Sequence, residues 1–204
     1  MKIIIILLLL ASNTLACNII KHTYYNECYS NKYRQSEYVF YTLTDKELVK
    51  NVKRANNFHF DPSIKSNPVT KNDYLHSGYD RWHLAPAGDF TFNKIAMNES
   101  FYMSNMSPQK PLFNRGIWKK LETKVRTIAK KYKKIHVITG IVVDKRYKSI
   151  HNIAVPSAYY KIITYNNKTI AYLLPNKGSK QPLSKYLTTV KHIESLTHIK
   201  FKEQ

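Results

Sequence analysis

A chain of 204 residues is long enough for one domain with a sizeable core and too short for two comfortable ones. Its 43% hydrophobic and 13% aromatic content, with 16 Tyr, argues against disorder. The 33 Lys+Arg against 13 Asp+Glu give a net charge of +20 and a pI near 9.8. Such a field draws polyanions (nucleic acid, anionic membrane or acidic polysaccharide) without saying what is done to them.

In chain order, Met1-Lys2 is a minimal positive start, Ile3 to Ala11 an apolar run, and Ser12 to Ala16 a small-residue approach to a cleavage point. Residues 1–16 therefore read as a signal peptide and 17–204 as a single domain, secreted or periplasmic. The apolar run is too short to span a bilayer as a mature helix. No later segment is as long and as continuously apolar, so stable membrane insertion is not expected. Cleavage would remove one charge, Lys2, and leave the balance near +19.

Cys17 and Cys28 are the only cysteines. In an exported chain a Cys17–Cys28 disulfide is the default. The rival is a lipid anchor on Cys17, which is less favoured because Thr14 stands where a lipoprotein signal usually has Leu. Either way no cysteine is left for catalysis or structural zinc.

Tyr38 to Leu43 has strand composition. Residues 54–78, rich in Asn, Ser, Pro and Asp, read as a long surface connection. Asn93 can cap a short helix to about Ser100, followed by a strand-like Phe101-Tyr102-Met103. Ile117, Trp118, Leu121, Val125, Ile128, Ala129 and Tyr132 recur at helical spacing and predict an amphipathic helix over 116–132. Ile135 to Val143 is a buried strand. Tyr159 to Tyr165 and Lys168 to Leu173 flank Asn166-Asn167, a two-residue hairpin turn. Lys177 to Lys180 form a polar loop and Lys191 to Leu196 a last short helix. Hairpins mixed with helices predict an α+β fold.

Polar residues of catalytic type concentrate in three separated pieces: Asp80-Arg81-Trp82-His83, residues 105–114, and Glu122 with Arg126. Each has an ordinary explanation: a satisfied core histidine at His83, a helix cap at Asn114, a solvated i, i+4 ion pair at Glu122 and Arg126. Together they are more specific. The stretch Tyr79-Asp-Arg-Trp-His-Leu-Ala-Pro-Ala-Gly-Asp89 resembles the DNA/RNA non-specific endonuclease family, whose Asp-Arg-Gly-His signature matches Asp80 to His83. Phe101 to Gln109 is similar to a second family block, and Phe113 to Glu122 to a third. The similarity runs from about Cys28 to Thr197.

The resemblance implies a ββα-metal core on a mostly antiparallel sheet flanked by helices. It implies hydrolysis of phosphodiester bonds in DNA and RNA with little sequence preference, leaving 5′-phosphate ends. His83 is then the general base for water, a role suited to an imidazole near neutral pH. Asn114 is the direct ligand of Mg²⁺, with Mn²⁺ an alternative, since Mg²⁺ takes oxygen ligands and keeps several waters. Glu122 lies eight residues on, about 12 Å along a regular helix at ~1.5 Å per residue, so it is expected to act through water rather than as a ligand. Gly116 permits a break between the two.

Arg126 and Arg54 are expected to bind phosphate oxygens, and Arg81 either to join them or to support Asp80. Asn105 matches a family position near the site. Trp82 departs from the family Gly: it packs as core, stacks on a base, or distorts the site. The alternative function is a catalytically impaired cationic nucleic-acid-binding protein of the same fold. A homodimer is compatible with the sequence.

Overall fold

The computed structural model describes residues 17–201, so the expected signal peptide lies outside the described residues. Eleven strands and four α-helices are present among them. Strands β1 (Asn18–Lys21), β2 (Asn26–Ser30) and β3 (Gln35–Thr44) open the chain. β4 (Asp80–His83), helix α1 (Lys94–Ser100) and β5 (Met106–Gln109) follow. A single helical turn α2 (Pro111–Phe113) leads through a π-helical turn (Asn114–Trp118) into α3 (Lys119–Tyr132). Then come β6 (Lys134–Val142), the short β7 (Ser149–Ile150) and β8 (Ile153–Ala154), β9 (Ala158–Tyr165), β10 (Lys168–Pro175), β11 (Leu187–Thr188) and α4 (Val190–Thr197).

Seven strands form one sheet in the order β1-β2-β3-β6-β9-β10-β11, with every neighbouring pair antiparallel. The alternation of β9 shows how the sheet separates two cores. Tyr159, Ile163 and Tyr165 point into the larger core with Trp118, Leu121, Val125 and Ala129 of the α3 region. Tyr160 and Ile162 point the other way, against Ile193 of α4. Lys161 shares the parity of Tyr159 and Ile163, which turns an amine towards the α3 side.

The π-turn and α3 bury Ile117, Trp118, Leu121, Val125, Ile128 and Ala129 along one stripe, and Glu122 lies in that stripe. Asn166 and Asn167 connect β9 to β10 with φ of 45° and 58°. Asn tolerates this left-handed region better than most residues, and two such φ values suit the twist of a tight hairpin.

The structure differs from the sequence expectations in two places. Phe101 to Met103 is not a strand: Tyr102 makes one isolated bridge with His59, and the strand begins at Met106, opposite His83. Phe101 and Met103 are buried for packing, and the Asn105 side chain holds the turn. The 54–78 connection is not purely superficial, because it buries Asp61, Val69 and Tyr74. Val69 and Tyr74 join Met103, Met106 and Ile153 in a small separate core.

Cys17 and Cys28 are joined by a disulfide between β2 and the residue before β1, with Cα atoms 5.2 Å apart and 11 residues of separation. With that bond in place Cys17 has no thiol for a lipid. Among the described residues, no helix is long and apolar enough to cross a membrane. Cross-linking so short a loop limits the denatured chain modestly, so replacing both cysteines by Ser should cost about 2–4 kcal/mol. Urea unfolding checks this, and an unchanged midpoint would contradict it.

Candidate active site

β4 and β5 pair in register Asp80↔Gln109 to His83↔Met106, and β5 feeds through α2 into α3. This is a ββα unit, laid against the large sheet. Asn105 closes it at one end. Its Oδ1 accepts from the Ala85 amide at 2.8 Å, and its Nδ2 donates to the carbonyls of Ala85 and Ser100 at 3.0 and 2.8 Å. Every polar atom of this fully buried amide is thereby engaged with backbone, so Asn105 fixes the turn after His83 and presents no free group to a substrate.

His83 is 1% exposed and its Nε2 has no hydrogen-bond partner. Phe101 meets it edge to face at 4.8 Å and Phe58 lies 5.7 Å away. Burial, and secondarily the positive charge of Arg54, hold its pKa well below the usual histidine value. His83 is therefore neutral, with the lone pair or proton of Nε2 uncommitted.

Asn114 opens the π-helical turn and is 4% exposed. Its Nδ2 donates to Asp80 Oδ2 at 2.6 Å, while its Oδ1 is buried without a partner. Asp80 is itself gripped by Arg115, from Nε to Oδ2 at 3.0 Å and from Nη2 to Oδ1 at 2.8 Å. The result is a fixed chain, Arg115–Asp80–Asn114, that aims one amide oxygen away from all protein donors. An orphaned buried carbonyl oxygen is costly unless something electropositive meets it. An oxygen-seeking cation such as Mg²⁺ fits that atom. Gly116, with ψ −109°, breaks regular helix geometry between Asn114 and Glu122, so the two need not lie on one straight axis.

Glu122 is 5% exposed and its Oε1 accepts from the Trp82 indole N–H at 3.0 Å. Burial raises its pKa, opposed mainly by buried Lys161 and also by Arg126 and the Trp82 hydrogen bond. Lys161 is fully buried, donates to Thr139 Oγ1 and lies 5.2 Å from the Trp118 ring; burial lowers its pKa. Trp82 itself is partly buried against the main core and meets His83 edge to face at 5.7 Å. It is not among the residues of positive φ and pairs regularly with Ser107, so a large side chain is accommodated on ordinary strand backbone where the family pattern has Gly.

The three arginines have distinct settings. Arg126 pairs with buried Asp89 at 2.9 Å, and Tyr41 donates to the other Asp89 oxygen at 2.7 Å. The expected i, i+4 ion pair with Glu122 is thus replaced by a longer-range one. Arg54 lies over the Phe101 ring at 4.9 Å, donates to Asn56 Oδ1 at 2.8 Å, and is close enough to feel both His83 and Glu122. Arg81 does not support Asp80; strand alternation turns it to the opposite face, over the Phe58 ring at 4.6 Å and towards the Lys71 carbonyl. Arg115 takes that supporting role instead.

A groove of about 820 Å³ joins Arg54 and Gly88 to Arg126, with Lys50, Lys53 and Lys130 on its walls. Asp89, Lys161 and Arg115 are members of this constellation that sequence reasoning did not assign. Their partners lie 35 to 40 residues away or across the sheet, and no local spacing signals them.

Comparison with known proteins gives the family and the fold. A family model described as DNA/RNA non-specific endonuclease matches residues 11–204. Nuclease C1 of Cunninghamella echinulata var. echinulata is 36% identical over 164 residues, which cover 71% of this chain and 65% of that protein. The mitochondrial nuclease of Saccharomyces cerevisiae is 33% identical over 178 residues, covering 74% and 54%. The chain thus spans about half to two thirds of the length of these relatives. A crystal structure of an EndoG/EndoGI complex, described as showing the mechanism of EndoG inhibition, superposes with a TM-score of 0.83 at 30% identity. That match covers 90% of this chain and 84% of the other.

Proposed function

Because the chain belongs to the DNA/RNA non-specific endonuclease family, we propose that it is an exported, Mg²⁺-dependent endonuclease. In this reading it hydrolyses phosphodiester bonds of DNA and RNA with little sequence preference and leaves 5′-phosphate ends. The observation that carries the reading is the orphaned Asn114 Oδ1, held in place from behind by Asp80, on the same ββα unit as a buried neutral histidine.

His83 Nε2 removes the proton from the attacking water, for which a neutral imidazole is required. Asn114 Oδ1 would hold the metal, and Glu122 would act on it through water. Mg²⁺ there would supply positive charge to the phosphodiester under attack. Arg54 and Arg126, on the wall of the basic groove, neutralise the phosphate charge that grows in the transition state. Asp89 keeps Arg126 pointed there, and Arg81 is available to a neighbouring phosphate. Asn105 positions the backbone after His83, and Trp82 positions Glu122.

The direct test is incubation of plasmid DNA and of a structured RNA with the purified chain, with Mg²⁺ or with chelator. Cleavage of both polymers only with the metal is expected. Retention of nucleic acid without cleavage in either condition would instead mark a binding protein.

Two quantitative expectations arise here. With a net charge of +20, binding should be led by phosphate neutralisation, and 6–10 phosphate contacts would lose about 10³–10⁵ in affinity between 50 and 200 mM salt. Filter binding in chelator over that range checks this, and a flat salt response contradicts it. The second concerns Trp82→Phe, which keeps an aromatic ring but removes the donor to Glu122. Loss of a hydrogen bond to the carboxylate raises a pKa already lifted by burial, so the ionised fraction at neutral pH falls. The acid limb of the kcat/KM profile should therefore move to higher pH, with thermal stability little changed. An unmoved limb would remove Trp82 from that role.

A further inference from the structure

We propose that His22, Glu27 and Asp61 form a second, structural metal site for a zinc-like divalent cation, separate from the Asn114 centre. His22 comes from the turn between β1 and β2, Glu27 from β2, and Asp61 from the connection between β3 and β4. Their three ligand atoms lie within 4.8 Å of one another. The side chains of His22, Glu27 and Asp61 are 4%, 0% and 1% exposed, so all three ligand groups are buried.

Protein partners alone leave this cluster badly balanced. Two buried carboxylates face a single imidazole nitrogen, His22 Nε2, at 3.1 Å from Glu27 Oε1 and 3.5 Å from Asp61 Oδ2. That nitrogen carries at most one proton, which cannot serve both oxygens well. A charged imidazole matches only one carboxylate, so the second must be met by a proton or by a cation, because buried charge is costly unless paired. Among the described residues, no lysine or arginine forms an ion pair with Glu27 or Asp61. A divalent ion with neutral His22 balances both carboxylates.

The separations from His22 agree. A tetrahedral ion with bonds of about 2.0–2.2 Å sets its ligand atoms roughly 3.3–3.5 Å apart. The two His22 separations are already close to that. The outer carboxylate oxygens are oriented from behind, Glu27 Oε2 by Ser36 Oγ at 2.7 Å and Asp61 Oδ1 by the Ser63 amide at 2.8 Å. Ser104 Oγ also donates to Asp61 Oδ2 at 2.7 Å. The imidazole is held by the rings of Tyr25 and Tyr102 at 4.5 and 5.2 Å. Outer partners of this kind fix ligand orientation in metal sites. One imidazole with two carboxylates suits zinc; Mg²⁺ and Ca²⁺ favour all-oxygen sets with more ligands. An ion here ties the N-terminal hairpin to the connection that carries Arg54 and Phe58.

The test uses the full chain stripped of metal, reloaded with Zn²⁺ alone and passed through a desalting column before elemental analysis. One zinc per chain is expected in the unmodified chain and in Asn114→Ala, which lacks the proposed Mg²⁺ ligand. At a hundredfold excess over Kd the unfolding temperature should rise by about 5–10 °C. Both the retained zinc and the shift should vanish in His22→Gln, Glu27→Gln and Asp61→Asn, so if one variant fails to fold the others decide. Absence of retained zinc in the unmodified chain overturns the site, as does zinc retained undiminished by the folded variants.

Discussion

His83→Ala is expected to lower kcat about 10²–10⁴-fold, the usual contribution of a positioned general base. Nucleic-acid affinity measured in chelator should hardly change, because His83 is buried behind the aromatic rings of Phe58 and Phe101 and carries no charge for phosphate. Its depressed pKa adds a pH dependence with a definite sign. The neutral form persists below the ordinary histidine pKa of about 6.5, so the limb of the rate profile due to His83 should lie on the acid side of that value. Stability follows the same linkage. The unfolded chain takes up the proton first, so the contribution of buried His83 is complete above about pH 6.5 and is lost as the pH falls from there towards the lower folded value. In His83→Ala that part of the acid destabilisation should disappear. Cleavage near the unmodified rate would reject His83 as the base.

Asn114→Ala should have an effect of similar size through a different observable. Removing Oδ1 deletes the only direct protein ligand in the proposal, so the Mg²⁺ titration should shift to higher concentration and its plateau should fall. Asp80→Ala leaves the amide present but frees it to turn, and Arg115 loses both its hydrogen bonds. An intermediate loss is therefore expected, since partners behind a ligand typically contribute 10–100-fold in metal affinity or activity. A Mg²⁺ titration of Asn114→Ala that overlays the unmodified chain would place the metal elsewhere.

The elements legible in the sequence are those whose signal is local. The apolar period in 117–132 gives α3, Asn93 gives the start of α1, where it accepts from the Ile95 and Ala96 amides, and Asn166-Asn167 gives the β9–β10 hairpin. β5 was not legible: Met106-Ser-Pro-Gln109 has little strand propensity and is extended only because β4 pairs with it. The site divides in the same way. His83, Asn114 and Glu122 stand in ordered blocks and Arg126 one helical turn beyond the last, whereas the contacts that orient them have no such signal. Asp80 turns Asn114, Trp82 reaches Glu122, and Asp89 takes Arg126 away from its helical neighbour, each across more than 30 residues. Lys161 looks like a surface charge in a strand and is buried because its parity directs it at the α3 side.

The central claim is that His83 and Asn114 belong to one catalytic centre and serve one chemical step. Single-turnover cleavage of a defined duplex at saturating Mg²⁺ by the unmodified chain, His83→Ala, Asn114→Ala and the double variant tests it most directly. Residues that act as a unit are strongly non-additive. The double variant should therefore be little slower than the slower single variant. Losses that multiply through to the double variant would contradict the account, showing that the two residues contribute independently.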